Sequence, residues 1–350
     1  MSKGYVRELG GCAAAAVATV WLTFTLVGVS APFGLFVCSL LVFFVYFGVV
    51  SWRLHGVLQM KDRLGTLAVC TGAMAALVPL VVIIGDVVAK GAPVALAQFP
   101  HFFTADFSQG GGLEPVTSVG AGAAIVGTIE QVAIATVLSV PIALLTATYL
   151  QEGNGVLARI VRNVVDAMSG TPSIIAGLFV YLLWVAPHKH SGKTGLAAGA
   201  ALFIMMLPVV TRAAQEVIRV VPGSLREAAL ALGAPQWRVI LQIVLPTART
   251  GLITAAILGV ARTAGETAEV LFTAGGNSHY NWNPFNGQQS DLPLQIYQLI
   301  FQGSVNAVRE AWAIAFVLLL VIFSLFTLAR AVGSPRRRGR SLRNRLEGKK

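Results

Sequence analysis

Arg262 and Glu266 stand four residues apart inside an otherwise apolar stretch from about 250 to 274. A charge at the centre of a membrane helix costs about 2.5 to 3.5 kcal/mol on insertion scales, so the pair requires a compensating use. Spaced i, i+4, the two would share one helix face and partly neutralise each other. One use is structural, as a buried pair that holds helices together. The other is chemical: the guanidinium offers a planar fork of donors to a tetrahedral oxyanion, and Gly265 lets backbone approach closely. Glu266 would then compete with the anion and keep its binding weak enough for release.

Other polar residues in apolar surroundings carry two readings each. Thr171-Pro172-Ser173 can open helix hydrogen bonding and expose polar groups, so Thr171 and Ser173 fit either a solute path or a packing kink. Glu130 and Gln131 interrupt another apolar run, where interior polar contacts compete with substrate contact as an explanation. Asp166 sits near the end of its run and is expected to face water. His188 and His190 flank Lys189 without an evident third metal ligand. Asn277, His279, Asn281, Trp282 and Asn283 crowd one late loop, as a docking surface or a solvated segment. No nucleophile–base cluster of Ser, His and Asp stands out, and no G-x-x-x-x-G-K-[ST] phosphate loop is present.

The elements that must position these residues follow from composition. The chain has 350 residues, 55% hydrophobic and only 12% charged, against the roughly 25% charge of a soluble domain. Eight apolar runs approach the ~20 residues needed to cross a bilayer. They lie near 11 to 30, 33 to 50, 66 to 87, 120 to 148, 166 to 186, 196 to 213, 250 to 274 and 311 to 330. The second is short, at about 18 residues, and Pro32 leaves room for a hairpin that does not fully cross. Lys3 and Arg7 ahead of the first run resemble a secretory signal, but Glu8 and the apolar chain that follows argue for a retained span.

Loop charge tests this count. With both termini cytoplasmic, 21 of the 26 Lys and Arg residues fall inside and four outside, with Arg262 in a span. That asymmetry is the one the positive-inside rule demands. Nine of the basic residues lie between Arg330 and Lys350, which accounts for most of the net charge of +11 by a tail suited to anionic lipid rather than nucleic acid. Cys12, Cys38 and Cys70 fall in apolar runs without ligand spacing and read as small hydrophobes. The expectation is an all-α polytopic transmembrane bundle of about eight spans.

The longest inner connection joins the sixth and seventh runs. Leu225, Ala228, Ala229 and Leu232 are spaced i, i+3, i+4, i+7, which predicts a short amphipathic helix starting near a Ser224 cap and stopped by Gly233. Trp237, Ile240, Leu241 and Val244 predict a second apolar stripe, ended by Pro246. Arg226, Glu227 and Arg238 would lie on the polar sides. By periodicity alone this could be a helix pair resting on lipid.

The residues Glu227-Ala228-Ala229, then Gly233, then Ile243-Val244-Leu245-Pro246 resemble the loop pattern of ABC importer permeases, spacing included. Within that family the resemblance is to the phosphate-specific PstA type. It rests on Gly170 through Phe179, Ala261 through Ala268 with Leu271 through Ala274, Leu292 through Tyr297, and the segment from Pro141 to Glu152. Together these cover about Thr66 to Arg330. The resemblance implies a type I importer-like core in the plasma (inner) membrane, and a coupling helix with Glu227, Ala228, Ala229, Gly233 and Pro246 facing a separate ATPase subunit. Arg262, Glu266, Gly265, Thr171 and Ser173 would line the substrate pathway. It also implies no cofactor on this chain, with ATP and Mg on the ATPase. The implied partners are a second, PstC-like permease, a PstB-like ATPase dimer, a PstS-like external phosphate-binding protein, and membrane lipid, but no nucleic acid.

The implied organisation is an extra N-terminal hairpin at 1–65, an added span and external loop at 66–119, a permease core at 120–330 with its coupling loop at 214–249, and a basic tail at 331–350. The two N-terminal spans, the insert at 276–290 and the tail depart from the family pattern. Phosphate import is the expected function, with another oxyanion such as molybdate or sulfate as the alternative. A secondary transporter would instead lead one to expect inverted sequence symmetry, which is not evident.

Overall fold

Backbone amides and carbonyls have no water to bond within lipid, so long apolar runs must satisfy them internally as helices. The computed structural model describes residues 3–28, 31–107, 120–153 and 155–333, and their regular structure is helical apart from one isolated bridge between Gly275 and Gln289. The basic tail from Ser334 to Lys350 lies outside the described residues. Among those described, six helices are long and apolar enough to cross a membrane, or seven if one sharply bent pair counts as a span.

The chain divides into two compact units, to Gly85 and from Asp86. In the first, α1 (Lys3–Val27) accompanies most of α2 (Pro32–Ala97). At 66 residues α2 would run about 99 Å if straight, roughly three hydrocarbon thicknesses. It is not straight: Gly56 takes φ 81 and ψ 173, a conformation closed to most side chains, and joins two arms that correspond to the second and third apolar runs. Arg63 fastens this unit, donating to Glu8 at 2.8 Å while lying 5.2 Å over the Tyr5 ring.

In the second unit, a short turn α3 (His101–Thr104) precedes the bundle built by α4 (Gly122–Glu152), α7 (Gly195–Arg219), α10 (Leu245–Thr263) and α13 (Val305–Gly333). Buried Ala135, Ala143, Ala198 and Leu202 pack α4 on α7. Small residues allow close approach where apolar solvent gives helices little reason to associate. A Cβ at Gly251 or Gly259 would overlap Val217 or Val210, so α10 can seat on α7 only through these glycines.

Two of the eight runs differ from their expected form. The run at 166 to 186 is broken: α5 (Val156–Ser169) and α6 (Ser173–Val180, continued by a wide turn at Tyr181–Val185) meet at 104°. Pro172, extended at ψ 141, forces the break. The run at 250 to 274 is helical only to Thr263, and its helical path starts much earlier, at Gln236. A separate turn, α11 (Ala268–Thr273), follows the break at 264–267, and α12 (Leu292–Gln302) leads into α13.

Candidate functional site

The loop between α7 and α10 contains α8 (Gly223–Ala231) and α9 (Gln236–Val239). α8 starts one residue before the expected Ser224, because Pro222 at φ −56 and ψ 131 sets the entry and no side chain caps it. Its end is closed by backbone alone: Gly233 N–H donates to Leu230 and Ala234 N–H to Ala229, with Gly233 at φ +82. That is the left-handed closure glycine adopts without strain.

The expected single stripe of Leu225, Ala228, Ala229 and Leu232 is not buried as one face. Ala229 is buried with Ala147, Val221 and Val244, whereas Leu225, Ala228 and Leu232 are exposed, Leu232 by 89%. α8 therefore rests on the bundle through one small side chain and presents apolar residues outward beside the exposed Glu227. Arg226, expected on the polar side, turns inward instead, within 3.2 Å of Glu152 and donating to the Ile218 carbonyl at 3.0 Å.

Pro246 does not end a helix, as its ring had suggested. The wide turn at Ile240–Val244, closed by Leu245 N–H to Ile240, absorbs the missing proline donor, and α10 runs on from Leu245.

The second group of predicted residues lies at the two helix breaks. Arg262 Nε is 3.8 Å from Glu266 Oε1, so the pair forms, but not on one helix face: α10 stops at Thr263 and Glu266 stands beyond its end. Arg262 is exposed, Glu266 only partly so, and Gly265 lies in the open turn between them. Thr171 and Ser173 occupy the other break, where Thr171 Oγ1 donates back to Ala167 at 3.0 Å. The two breaks belong to elements that touch, since Gly177 of α6 packs on the backbone of Glu269 in α11. Glu269, whose side chain sequence reasoning left unassigned, is fully buried with neither carboxylate oxygen hydrogen-bonded. Asp166 is exposed, as expected, and also pairs with Arg212 of α7.

Glu130 and Gln131 find interior polar contacts. Gln289, 2% exposed, donates to Glu130 at 2.6 Å and to the Asn281 carbonyl at 2.8 Å, and accepts from Gln131 at 3.4 Å. This plugs the 276–290 insert into the bundle. The insert also holds the α3 segment, through Tyr280 Oη to the Thr104 carbonyl at 2.6 Å and His279 to Asp106 at 3.3 Å. Burial, and the charge of Asp106, push the Tyr280 hydroxyl above its ordinary pKa. Asp291 caps α12 through the Leu294 amide at 2.8 Å, and burial pushes its carboxyl up to about 7 against the pull of that amide.

His188 stacks on Trp184, with Nδ1 at 2.6 Å from the Trp184 carbonyl, and the His190 side chain lies outside the described residues. Among the described residues no group of three or more His, Cys, Asp or Glu could hold a metal.

Residues 139–338 match the family described as "Binding-protein-dependent transport system inner membrane component". The chain is 37% identical over 286 residues to the phosphate transport system permease protein PstA 1 of Mycobacterium tuberculosis H37Rv, covering 80% of this chain and 91% of that one. It is 32% identical over 285 residues to PstA of Yersinia pestis, covering 81% and 91% of the two chains. With PstA of Pasteurella multocida it shares 39% identity over 208 residues, 57% of this chain and 73% of the relative. Among solved structures, the MetNI methionine ABC transporter in an inward-facing form aligns with a TM-score of 0.46 at 19% identity, over 59% of this chain and 93% of that one.

Proposed function

The chain belongs to the binding-protein-dependent transport system inner membrane component family, and on that premise we propose that it is the PstA-type permease subunit of an ATP-driven phosphate importer. It is a multi-pass plasma membrane protein and not itself an enzyme; ATP hydrolysis belongs to a partner subunit, and a substrate-binding protein serves the complex. The finer identities are a PstC-like second permease, a PstB-like ATPase dimer carrying ATP and Mg, and a PstS-like phosphate-binding protein.

The observation that carries the reading is the outward face of α8. Leu225, Ala228, Leu232 and Glu227 are presented beyond the bundle, and Gly233 sets the angle to α9. Apolar side chains on a short, rigidly closed helix are suited to a groove in another protein. Closure of the ATPase dimer pulls α8, the bundle rocks, and an anion delivered outside is released inside past Arg262. Glu227, Ala228, Ala229, Gly233 and Pro246 shape the coupling element. Arg262, Gly265 and Glu266, with Thr171 and Ser173 at the break before α6, serve the anion.

An exposed guanidinium beside a competing carboxylate suits transient binding of an oxyanion. The N-terminal hairpin 1–65, the segment 66–119 and the tail 331–350 are additions to the core at 120–330. The test is ATP-driven uptake of labelled phosphate by vesicles containing the assembled complex, with Arg262→Ala and with sulfate or molybdate as competitors. Loss of uptake in the variant, with the ATPase retained and no competition, supports a phosphate path. Effective competition moves the function to a broader oxyanion importer, and retained uptake returns Arg262 to a structural pair.

A further inference from the structure

Arg226 precedes Glu227 in α8, yet the two side chains point in opposite senses: Glu227 outward, Arg226 into the bundle with only 21% of its side chain exposed. Its Nε lies 3.2 Å from Glu152 Oε1, and its Nη2 donates to the Ile218 carbonyl at 3.0 Å. These partners have a common character. Glu152 is the last residue of α4, and Ile218 lies in the last turn of α7. Both helix ends carry partial negative charge from unmatched carbonyls, and α4 has no basic residue in its own last turn to offset the Glu152 carboxylate. One planar guanidinium therefore neutralises two C-termini at once and ties both to α8.

The other attachments of α8 among the described residues are the methyl of Ala229, which has little reach, and the turn at Gly233, which is held by backbone alone through the Gly233 and Ala234 amides. Apolar packing of that kind slides more readily than it pulls. An ion pair to α4 and a charge-assisted hydrogen bond to α7 each resist displacement in their own direction, the more so because both Arg226 and Glu152 are largely covered.

We propose that Arg226, paired with Glu152, is a positioning residue that transmits the displacement of α8 to α4 and α7. This rests on the importer reading. It adds that the path from the ATPase side to the bundle crosses a single ion pair rather than the outward docking face. The Arg162 side chain, which donates to the Leu150 carbonyl at 3.2 Å, draws α5 to the same end of α4. Motion passed to Glu152 thereby reaches the helix that leads to the Thr171–Ser173 break.

The experiment uses the full complex in vesicles and reads three quantities: phosphate taken up per ATP hydrolysed, stimulation of hydrolysis by loaded binding protein, and retention of the ATPase subunit. Arg226→Glu and Glu152→Arg are each expected to lower uptake per ATP at least about tenfold and to abolish stimulation, as reversal of one member of a half-buried charge pair does, with the ATPase retained. The double reversal re-forms the link to α4 but not the bond to the Ile218 carbonyl, so it should restore both quantities in part. Wild-type coupling in the single variants, loss of the ATPase subunit from them, or a double variant no better than either single would overturn the proposal.

Should the reversals prevent the chain itself from folding into the membrane, Arg226→Lys keeps the charge but cannot bridge two acceptors as a planar fork. Reduced uptake per ATP would then support transmission, and full coupling would overturn it. A wild-type complex that hydrolyses ATP under binding-protein control but takes up no phosphate would sink the phosphate reading alone, since the stimulation readout still tests the ion pair.

Discussion

Gly177 on α6 lies so close to Glu269 on α11 that a Cβ there would come within 2.7 Å of the Glu269 Cα. The neighbour is backbone and cannot rotate away, so Gly177→Ala must push the two broken elements apart. Overpacking of this sort costs about 1 to 3 kcal/mol. The expected outcome is a lowered melting temperature and reduced uptake with the ATPase subunit still bound. Unchanged uptake would show that the approach of α6 to α11 is not needed for passage.

At Gly233 the constraint is conformational rather than steric, because a Cβ would meet nothing within 4 Å while φ stands at +82. Gly233→Ala should cost about 1 kcal/mol or somewhat more at the loop, and Gly233→Asn less, since Asn tolerates the left-handed region. Co-purification of the ATPase subunit should fall in the order Gly, Asn, Ala. Equal retention by all three would mean that the closure of α8 does not shape the docking face.

How much of this was legible varied with the range of the interaction. The loop helix could be read because Glu227, Ala229 and Gly233 lie within one local pattern, and the Gly233 stop follows from backbone chemistry alone. The inward turn of Arg226 could not, because its partners belong to distant α4 and α7, and an isolated helix gives no sign of which face will be covered. The apolar composition of 250 to 274 hid the break after Thr263, since hydropathy measures affinity for lipid and not continuity of hydrogen bonding. Pro246 misled for the reverse reason: a proline breaks an ideal helix, but the wide turn at Ile240–Val244 accommodates it. Glu130 and Gln131 were legible as polar residues needing partners, while the identity of that partner, Gln289, required the fold.

The Gln289 amide joins the insert to the bundle, so Gln289→Leu leaves Glu130 and Gln131 without their shared partner. Removing one side of a buried polar network costs about 1 to 3 kcal/mol, and more where a charged group loses its bond. Thermal unfolding of the purified chain should shift down by several degrees, with Glu130→Gln milder because an amide can still accept. A Gln289→Leu variant as stable as wild type would mean that the insert is not anchored there.

Asp291 should make stability depend on pH. Its carboxyl titrates near 7 when folded, against an ordinary value near 3.8, so the folded protein holds a proton that the unfolded chain releases. Stability from this group is complete below about 4 and is lost as pH rises through about 7. Asp291→Asn can still accept from the Leu294 amide and carries no charge, so it should flatten the decline in melting temperature between pH 5 and 8. An undiminished slope in the variant would assign that decline to another group.

The 3.8 Å pair of Arg262 and Glu266 predicts opposite kinetic signatures for its two members. If Glu266 competes with the passing anion for the guanidinium, Glu266→Gln leaves Arg262 free to hold the anion longer. Half-saturation for phosphate should then fall while maximal uptake also falls, because release slows. Arg262→Lys keeps the charge but loses the planar fork, so half-saturation should rise with less effect on maximal uptake. Uptake kinetics at saturating binding protein would separate these outcomes. A structural pair would instead lose stability in both variants by similar amounts, with no change in the concentration dependence of transport.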